Sequence, residues 1–251
     1  MDVRTLTAPV HETIVGPRVT LIIPTLDEED SIGPVISRIP RELVSHIIVA
    51  DGGSRDATVP RARAAGAQVI EPGRGYGRAC MAAALAADGS DILVFMDGDG
   101  ADDPSAIAQL AKPIGAGEYD FAIGSRTRGK RAPASIAWHQ LAAGRVAGLG
   151  TWLLYGVRYT DMCALRAIRR QQLLELGMRE LTYGWNIEMQ MRAAAAGLRI
   201  LEIPVDYHCR IGGCSKVAGS LPGSIKAGAR IIATFARVAV QTRRARRSDA
   251  Q

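Results

Sequence analysis

Residues 91–104, DILVFMDGDGADDP, decide the fold. Residues 92–96 are an unbroken apolar run, the pattern of a strand buried on both faces of a parallel sheet. The run then turns acidic at Asp97, Asp99, Asp102 and Asp103. Asp97 and Asp99 are two residues apart, so at a strand end both carboxylates point to the same side. Gly98 and Gly100 carry no side chain, which lets a ligand approach the backbone. Two converging carboxylates repel unless a cation lies between them. Oxygen-only ligands favour a hard divalent ion, Mg²⁺ or Mn²⁺, with phosphate oxygens on its open positions. The competing reading is a solvated acidic turn that feeds a helix capped near Asp103, with Pro104 in its first position.

Working outward, residues 19–23 form an apolar strand that ends at Pro24 before an acidic loop and a helix to about Arg38, capped by Asp30 or Ser31. Residues 46–50 form a second strand, running into the turn DGGSRD at 51–56 and a helix over 57–65. A third strand at 68–70, an alanine-rich helix to about Ala87, a helix over 104–112 and a strand near 121–123 continue the alternation. Strands alternating with helices at this spacing predict an α/β fold with a mostly parallel central sheet flanked by helices. The second half predicts a helix over 137–155, a loop over 161–170, a helix over 183–196 with Glu188 and Arg192 one turn apart, and a strand over 199–205. A glycine-rich basic loop at 211–216 precedes a last helix from Leu221 to about Thr242.

Composition narrows the class. The chain has 251 residues and a net charge of +6. Four arginines against Asp249 place +3 of that charge in the last nine residues. Stacking aromatics are scarce and no groove-reading motif occurs, so nucleic acid is not an expected partner. An anionic membrane surface suits such a tail. The four cysteines form no CxxC pair, the start lacks a signal-peptide core, and no stretch approaches the roughly 18 apolar residues of a membrane span. The expected location is therefore cytoplasmic, peripheral on the cytoplasmic face of the membrane.

Two familiar motifs fail. The glycines at 73–77 are not a dinucleotide fingerprint, because Arg78 holds the third glycine's place; Arg74 and Arg78 are better suited to a phosphate. An EF-hand fails because Ala101, Asp102 and Ala108 stand where a ligand, a glycine and a glutamate are required. Glu28, Asp51 and Asp97 each follow an apolar strand and together predict one acidic crevice. Such a crevice suits a base and ribose, plus a diphosphate that enters with its metal. Arg126 past another strand, and Arg210, Ser215 and Lys216 in the glycine-spaced loop, predict an anion site.

The segments PTLDE at 24–28, ADGGSRDAT at 50–58 and DGD at 97–99 resemble the successive donor-site motifs of family 2 glycosyltransferases. Gly124-Ser125-Arg126, the 160–170 loop and the R-x-x-G-x-S-K loop resemble the polyprenyl-phosphate hexosyltransferase branch, of the dolichyl-phosphate mannosyltransferase type. The resemblance spans 19–219 and implies the nucleotide-sugar-binding GT-A fold there, with 1–18 as an extension and 220–251 as an amphipathic helix and basic tail. It implies that Pro24, Leu26, Glu28, Asp51, Asp97 and Ser215 meet the nucleotide sugar, and the glycine loop offers Arg78 beside them. Asp97 and Asp99 would hold the divalent cation, and Arg126, Arg210 and Lys216 the phosphates. Leu26, Ala50, Ala101 and the run Cys163-Ala164-Leu165 depart from the family pattern.

The expected activity is inverting, metal-dependent transfer of a hexose from a nucleoside-diphosphate sugar, of the GDP-mannose or UDP-glucose type, to a polyprenyl phosphate or related envelope acceptor. One alternative is a hydroxyl acceptor, which needs a carboxylate base from Glu188 or Asp161. Another is a sugar-phosphate nucleotidyltransferase, against which the acidic loop at 26–30 argues. In the last helix, Ile225, Ile232, Phe235 and Ala239 share a face widened by Ile231 and Val238. That face either packs on the core or lies in a membrane interface.

Overall fold

The computed structural model describes residues 16–133, 135–212 and 221–248. Its elements are β1 (Val19–Thr25), α1 (Glu29–Ser37), β2 (Val44–Asp51), α2 (Thr58–Ala64), β3 (Gln68–Ile70), α3 (Tyr76–Ala86) and β4 (Ile92–Phe95). A 3-10 turn (Pro104–Ala106) leads into α4 (Ile107–Gly115), then β5 (Phe121–Ser125) and α5 (Trp138–Tyr155). There follow β6 (Arg166–Arg169), α6 (Arg170–Glu175), α7 (Trp185–Ala195), β7 (Ile200–Pro204) and α8 (Leu221–Ser248).

The seven strands form one sheet in the order β3-β2-β1-β4-β6-β5-β7. β3, β2, β1 and β4 run parallel, and β7 runs parallel to β5. β6 alone is reversed, pairing antiparallel with β4 and β5. β1 and β4 are fully buried along their apolar runs, as their sequences predicted. The carboxyl ends of β1, β2, β4 and β5 therefore open on one edge, where ligands bind in open α/β sheets.

β6 corrects the expected loop at 161–170. Arginines at both ends of Arg166-Ala167-Ile168-Arg169 hid a strand at the middle of the sheet. The strand forms because Ala167 and Ile168 are buried and because Arg166, though fully enclosed, has partners. Its guanidinium donates to the backbone carbonyls of Cys163, Ala164 and Asn186. A buried charge without such partners would cost several kcal/mol.

α8 packs on the body of the protein. Val238 lies in a small apolar cluster with Ala147, Ile187 and Met191, joined by Ile231, Phe235 and Ala239. A Cβ on Gly150 would come within 2.5 Å of the Phe235 ring, so the glycine permits this approach. Charge secures the same face: Arg230, Thr234 and Arg237 bond Glu180, and Arg237 also reaches Glu188. The expected apolar face is thus divided. Phe235 and Val238 face the protein, whereas Ile232 is 72% exposed. The Ile225 side chain lies outside the described residues. Among the described residues, no helix is long and apolar enough to cross a membrane.

Candidate active site

The crevice forms where β1, β2, β4 and β5 end. Beyond β4, the loop turns through Gly100 at φ +78°, which seats the Ile211 side chain against it. The segment 207–211 is laced along this loop: His208 N–H donates to Ala101 O and Ile211 N–H to Asp99 O. This lacing carries Arg210 over the acidic residues. Its Nη2 lies 2.8 Å from Glu28 Oε1 and 3.2 Å from Asp99 Oδ2. Among the described residues, the buried Arg210 Nε has no hydrogen-bond partner.

Asp97 and Asp99 lie near enough for the charge of one to act on the other. Burial and the charge of Asp99 raise the Asp97 carboxyl above the usual range. Burial, then the charges of Asp97 and Asp99, raise Asp102 as well. Asp102 Oδ2 accepts from Asp97 N–H, and Tyr76 OH donates to Asp97 Oδ1 at 3.2 Å. Burial and the Asp97 charge keep that phenol protonated. Tyr76 and Asp102 went unassigned in the sequence. Tyr76 sits inside the basic glycine loop and Asp102 inside the acidic run, so both were visible without a sign of their placement.

The donor set suits a divalent cation. The buried Asp99 and half-buried Asp97 share too little positive charge, and Arg210 is the cation that sits on Asp99. Among the described residues, no group of three or more His, Cys, Asp or Glu side chains is arranged to hold a metal ion. Asp97 and Asp99 could supply two oxygens, leaving other positions to diphosphate oxygens and water, the usual manner for Mg²⁺ and Mn²⁺.

Arg126 stands just past β5. Its Nε and Nη2 donate to Asp161 at 2.7 and 2.8 Å, and its guanidinium lies 5.1 Å over the Tyr207 ring. Burial works against its charge, but the Asp161 pair outweighs burial and holds the guanidinium protonated. Asp161 is spent on this clamp: both its oxygens are engaged by Arg126, and Met162 N–H donates to Oδ1. Burial alone would raise its carboxyl; the bonds from Arg126 hold it below the usual range.

Glu188 is corrected. Expected among the catalytic residues, it is fully enclosed in α7. Its Oε2 accepts from the N–H groups of Arg179 and Glu180, and its Oε1 from Arg192 and Arg237. It has no face open to a substrate, and it fastens α8 and the 179–184 loop.

The remaining predicted residues fall as follows. Pro24 lies within β1, paired with Ala50 rather than ending the strand. Leu26 follows at the crevice rim, half-buried. Asp51 accepts from Gly53 N–H, Ser54 N–H, Ser54 Oγ and Thr25 Oγ1, so it builds the turn after β2. Arg78 is exposed on the first turn of α3, where its N–H donates to Leu181 O. Ser215 and Lys216 lie outside the described residues.

A mostly parallel sheet with an acidic pair past its fourth strand and two arginines near that pair is the arrangement of a GT-A-fold glycosyltransferase. The description glycosyl transferase family 2 matches residues 20–177, and the chain belongs to that family. An uncharacterized glycosyltransferase of Mycobacterium tuberculosis is 38% identical over 215 residues, covering 84% of this chain and 94% of that protein. The polyprenol monophosphomannose synthase of Mycolicibacterium smegmatis is 30% identical over 220 residues, covering 81% and 82%. In fold, the chain is similar to glucosyl-3-phosphoglycerate synthase of M. tuberculosis, crystallised with Mn²⁺, UDP and glucosyl-3-phosphoglycerate. That likeness has a TM-score of 0.68 at 23% identity, covering 89% of this chain and 80% of the other.

Proposed function

We propose that this protein transfers a hexose from a nucleoside-diphosphate sugar, of the GDP-mannose or UDP-glucose type, to a polyprenyl phosphate, with inversion at the anomeric carbon. The observation that carries this reading is the fate of the two carboxylates offered as general bases. Asp161 is consumed by Arg126, and Glu188 by four donors in the interior. A hydroxyl acceptor needs such a base within reach. A phosphate acceptor is already an anionic nucleophile at neutral pH and needs none. The likeness to a polyprenol monophosphomannose synthase supports the same acceptor class.

In this reading, an acceptor phosphate oxygen bonds to the anomeric carbon as the bond to the nucleoside diphosphate breaks. The electron pair leaves with the diphosphate, and no proton moves. Asp97 and Asp99 would hold Mg²⁺ or Mn²⁺, which neutralises charge developing on the leaving group when bound. Pro24, Leu26, Glu28, Asp51 and Arg78 line the nucleotide side. Arg126 and Arg210, with Ser215 and Lys216, hold the phosphates. Two anions that would otherwise repel are thereby positioned for reaction. In this reading Arg210 would turn from Asp99 and Glu28 toward an incoming phosphate. The reading places the protein on the anionic cytoplasmic face of a membrane, where its acceptor resides.

The test is a transfer assay that crosses UDP- and GDP-hexoses with a short-chain polyprenyl phosphate and with the matching polyprenol. Product from the phosphate alone supports the reading; product from the polyprenol alone restores a hydroxyl acceptor and a base.

A further inference from the structure

We infer that the outer faces of α5 and α8 form one surface that docks on an anionic lipid bilayer. This rests on the polyprenyl-phosphate reading above and names the membrane-facing side. Six large apolar side chains are left in water on these two helices: Val146, Leu149, Trp152 and Leu153 on α5, and Ile232 and Val240 on α8. Val146 is 71%, Leu153 69% and Ile232 72% exposed. On α5, Val146, Leu149 and Leu153 recur at three- and four-residue spacing, so they share a stripe. On α8, Ile232, Ala236 and Val240 recur every four residues, and all are exposed. Concentrated apolar exposure of this kind marks an interaction surface.

The helices lie side by side in the same direction. Gly150 meets Phe235, and Tyr155 OH lies 2.7 Å from Thr242 Oγ1 further along both. Each helix follows a segment that carries a crevice arginine. α5 comes after the loop that begins at Arg126, and α8 after the segment that contains Arg210. Both helices thus follow, in the chain, the segments that bring cations to the site.

Charge identifies the occupant. Neither helix contains an aspartate or glutamate. α8 carries Lys226, Arg230, Arg237, Arg243, Arg244, Arg246 and Arg247. Arg230 and Arg237 are used on Glu180 and Glu188, leaving the cations of the last turns without an acidic residue on their own helix. An exposed apolar stripe on helices that carry cations and no acidic residue is the pattern of a surface that rests in the headgroup region of anionic lipid. A second copy of this chain would set the two sets of arginines against one another.

The experiment is flotation of the full chain with phosphatidylglycerol-containing vesicles, and with phosphatidylcholine vesicles alone. It is paired with quenching of Trp152 fluorescence by brominated lipid in a Trp138→Phe background, where the buried Trp185 is the internal reference. Salt-sensitive flotation with anionic vesicles and quenching of Trp152 but not Trp185 are expected. Leu153→Glu with Ile232→Glu should weaken partitioning about tenfold or more. Transfer to a water-soluble short-chain acceptor should stay within about twofold, which also shows that the variant folds. Absence of flotation, or of Trp152 quenching in the otherwise unaltered chain, overturns the docking surface. So does a vesicle-independent dimer that the double substitution dissolves. Transfer to the short-chain phosphate without vesicle binding leaves the proposed function standing while this inference falls. Vesicle binding without transfer to any polyprenyl phosphate does the reverse.

Discussion

Glu188→Gln separates a structural carboxylate from a catalytic one. The side chain accepts four hydrogen bonds, two of them from arginines, and no part of it reaches solvent. Glutamine keeps the shape but turns one acceptor oxygen into an NH₂ donor. That donor must face either the two backbone N–H groups of the 179–180 turn or the two guanidinium groups. One orientation or the other strands a pair of buried donors. Leaving buried hydrogen-bonding groups unsatisfied, with one side of an ion pair lost, costs roughly 2–4 kcal/mol. For a chain of this size each kcal/mol lowers the melting temperature by about 2–4 °C, so a fall on the order of 5–15 °C is expected. Thermal unfolding followed by circular dichroism measures it. Transfer assayed well below the new transition should keep its pH profile and lose less than about threefold in rate. Loss of several orders of magnitude in rate at an unchanged melting temperature would refute the structural assignment and return Glu188 to the chemistry.

Other outcomes follow from the same geometry. Asp97→Asn and Asp99→Asn should each lower transfer by roughly a hundredfold or more, with donor binding made insensitive to Mn²⁺ in a thermal-shift titration; full activity of both in excess chelator would contradict the metal assignment. Arg210→Ala and Lys216→Ala should each slow transfer about ten- to a hundredfold, the loss of one charge-assisted bond to a phosphate, and effects below about twofold in both would leave the loop without an anion role. Burial opposes ionisation of Glu180, but bonds from Thr182, Arg230 and Thr234 pull its carboxyl down to about 2. A carboxyl lowered on folding contributes stability that is complete above its ordinary pKa of about 4.5 and is lost as pH falls toward 2, here on the order of 2 kcal/mol with partly exposed arginine partners. Urea midpoints of the unaltered chain and Glu180→Gln should therefore differ at pH 6 and converge by about pH 2; a constant gap would rule out that linkage.

The parallel half of the sheet was legible because β1, β2 and β4 carry apolar runs that lead into acidic loops. β6 was not, since Arg166 is a core residue only by virtue of carbonyls supplied by the 163–164 turn and by Asn186, which no local pattern reveals. The final helix runs on to Ser248 instead of ending near Thr242. Arginine is a strong helix former, so the Arg-rich tail continues the helix. At the site, residue types were legible and their partners were not. Asp97, Asp99 and Arg210 announce themselves by position after a strand or between glycines. The pairing of Arg126 with Asp161, and of Glu188 with Arg237, joins residues far apart in the chain. Those pairings convert two apparent general bases into positioning residues. The division of α8 between a core face and a water face needed α5 and α7 in place beside it.

The central claim is that an anionic acceptor makes a general base unnecessary. It is tested most directly by single-turnover transfer from the accepted nucleoside-diphosphate hexose to a short-chain polyprenyl phosphate across pH 5.5–9, a range set here for the assay, with the product's anomeric configuration read by NMR. The account predicts inverted product and a rate that rises near pH 6, where the acceptor phosphate takes its second charge and the Asp97 carboxyl, raised to about 6, ionises, and then stays level. Retained configuration, or a rate governed by an enzyme carboxylate that vanishes with Asp161→Asn while Arg126 stays bound to the site, would contradict it.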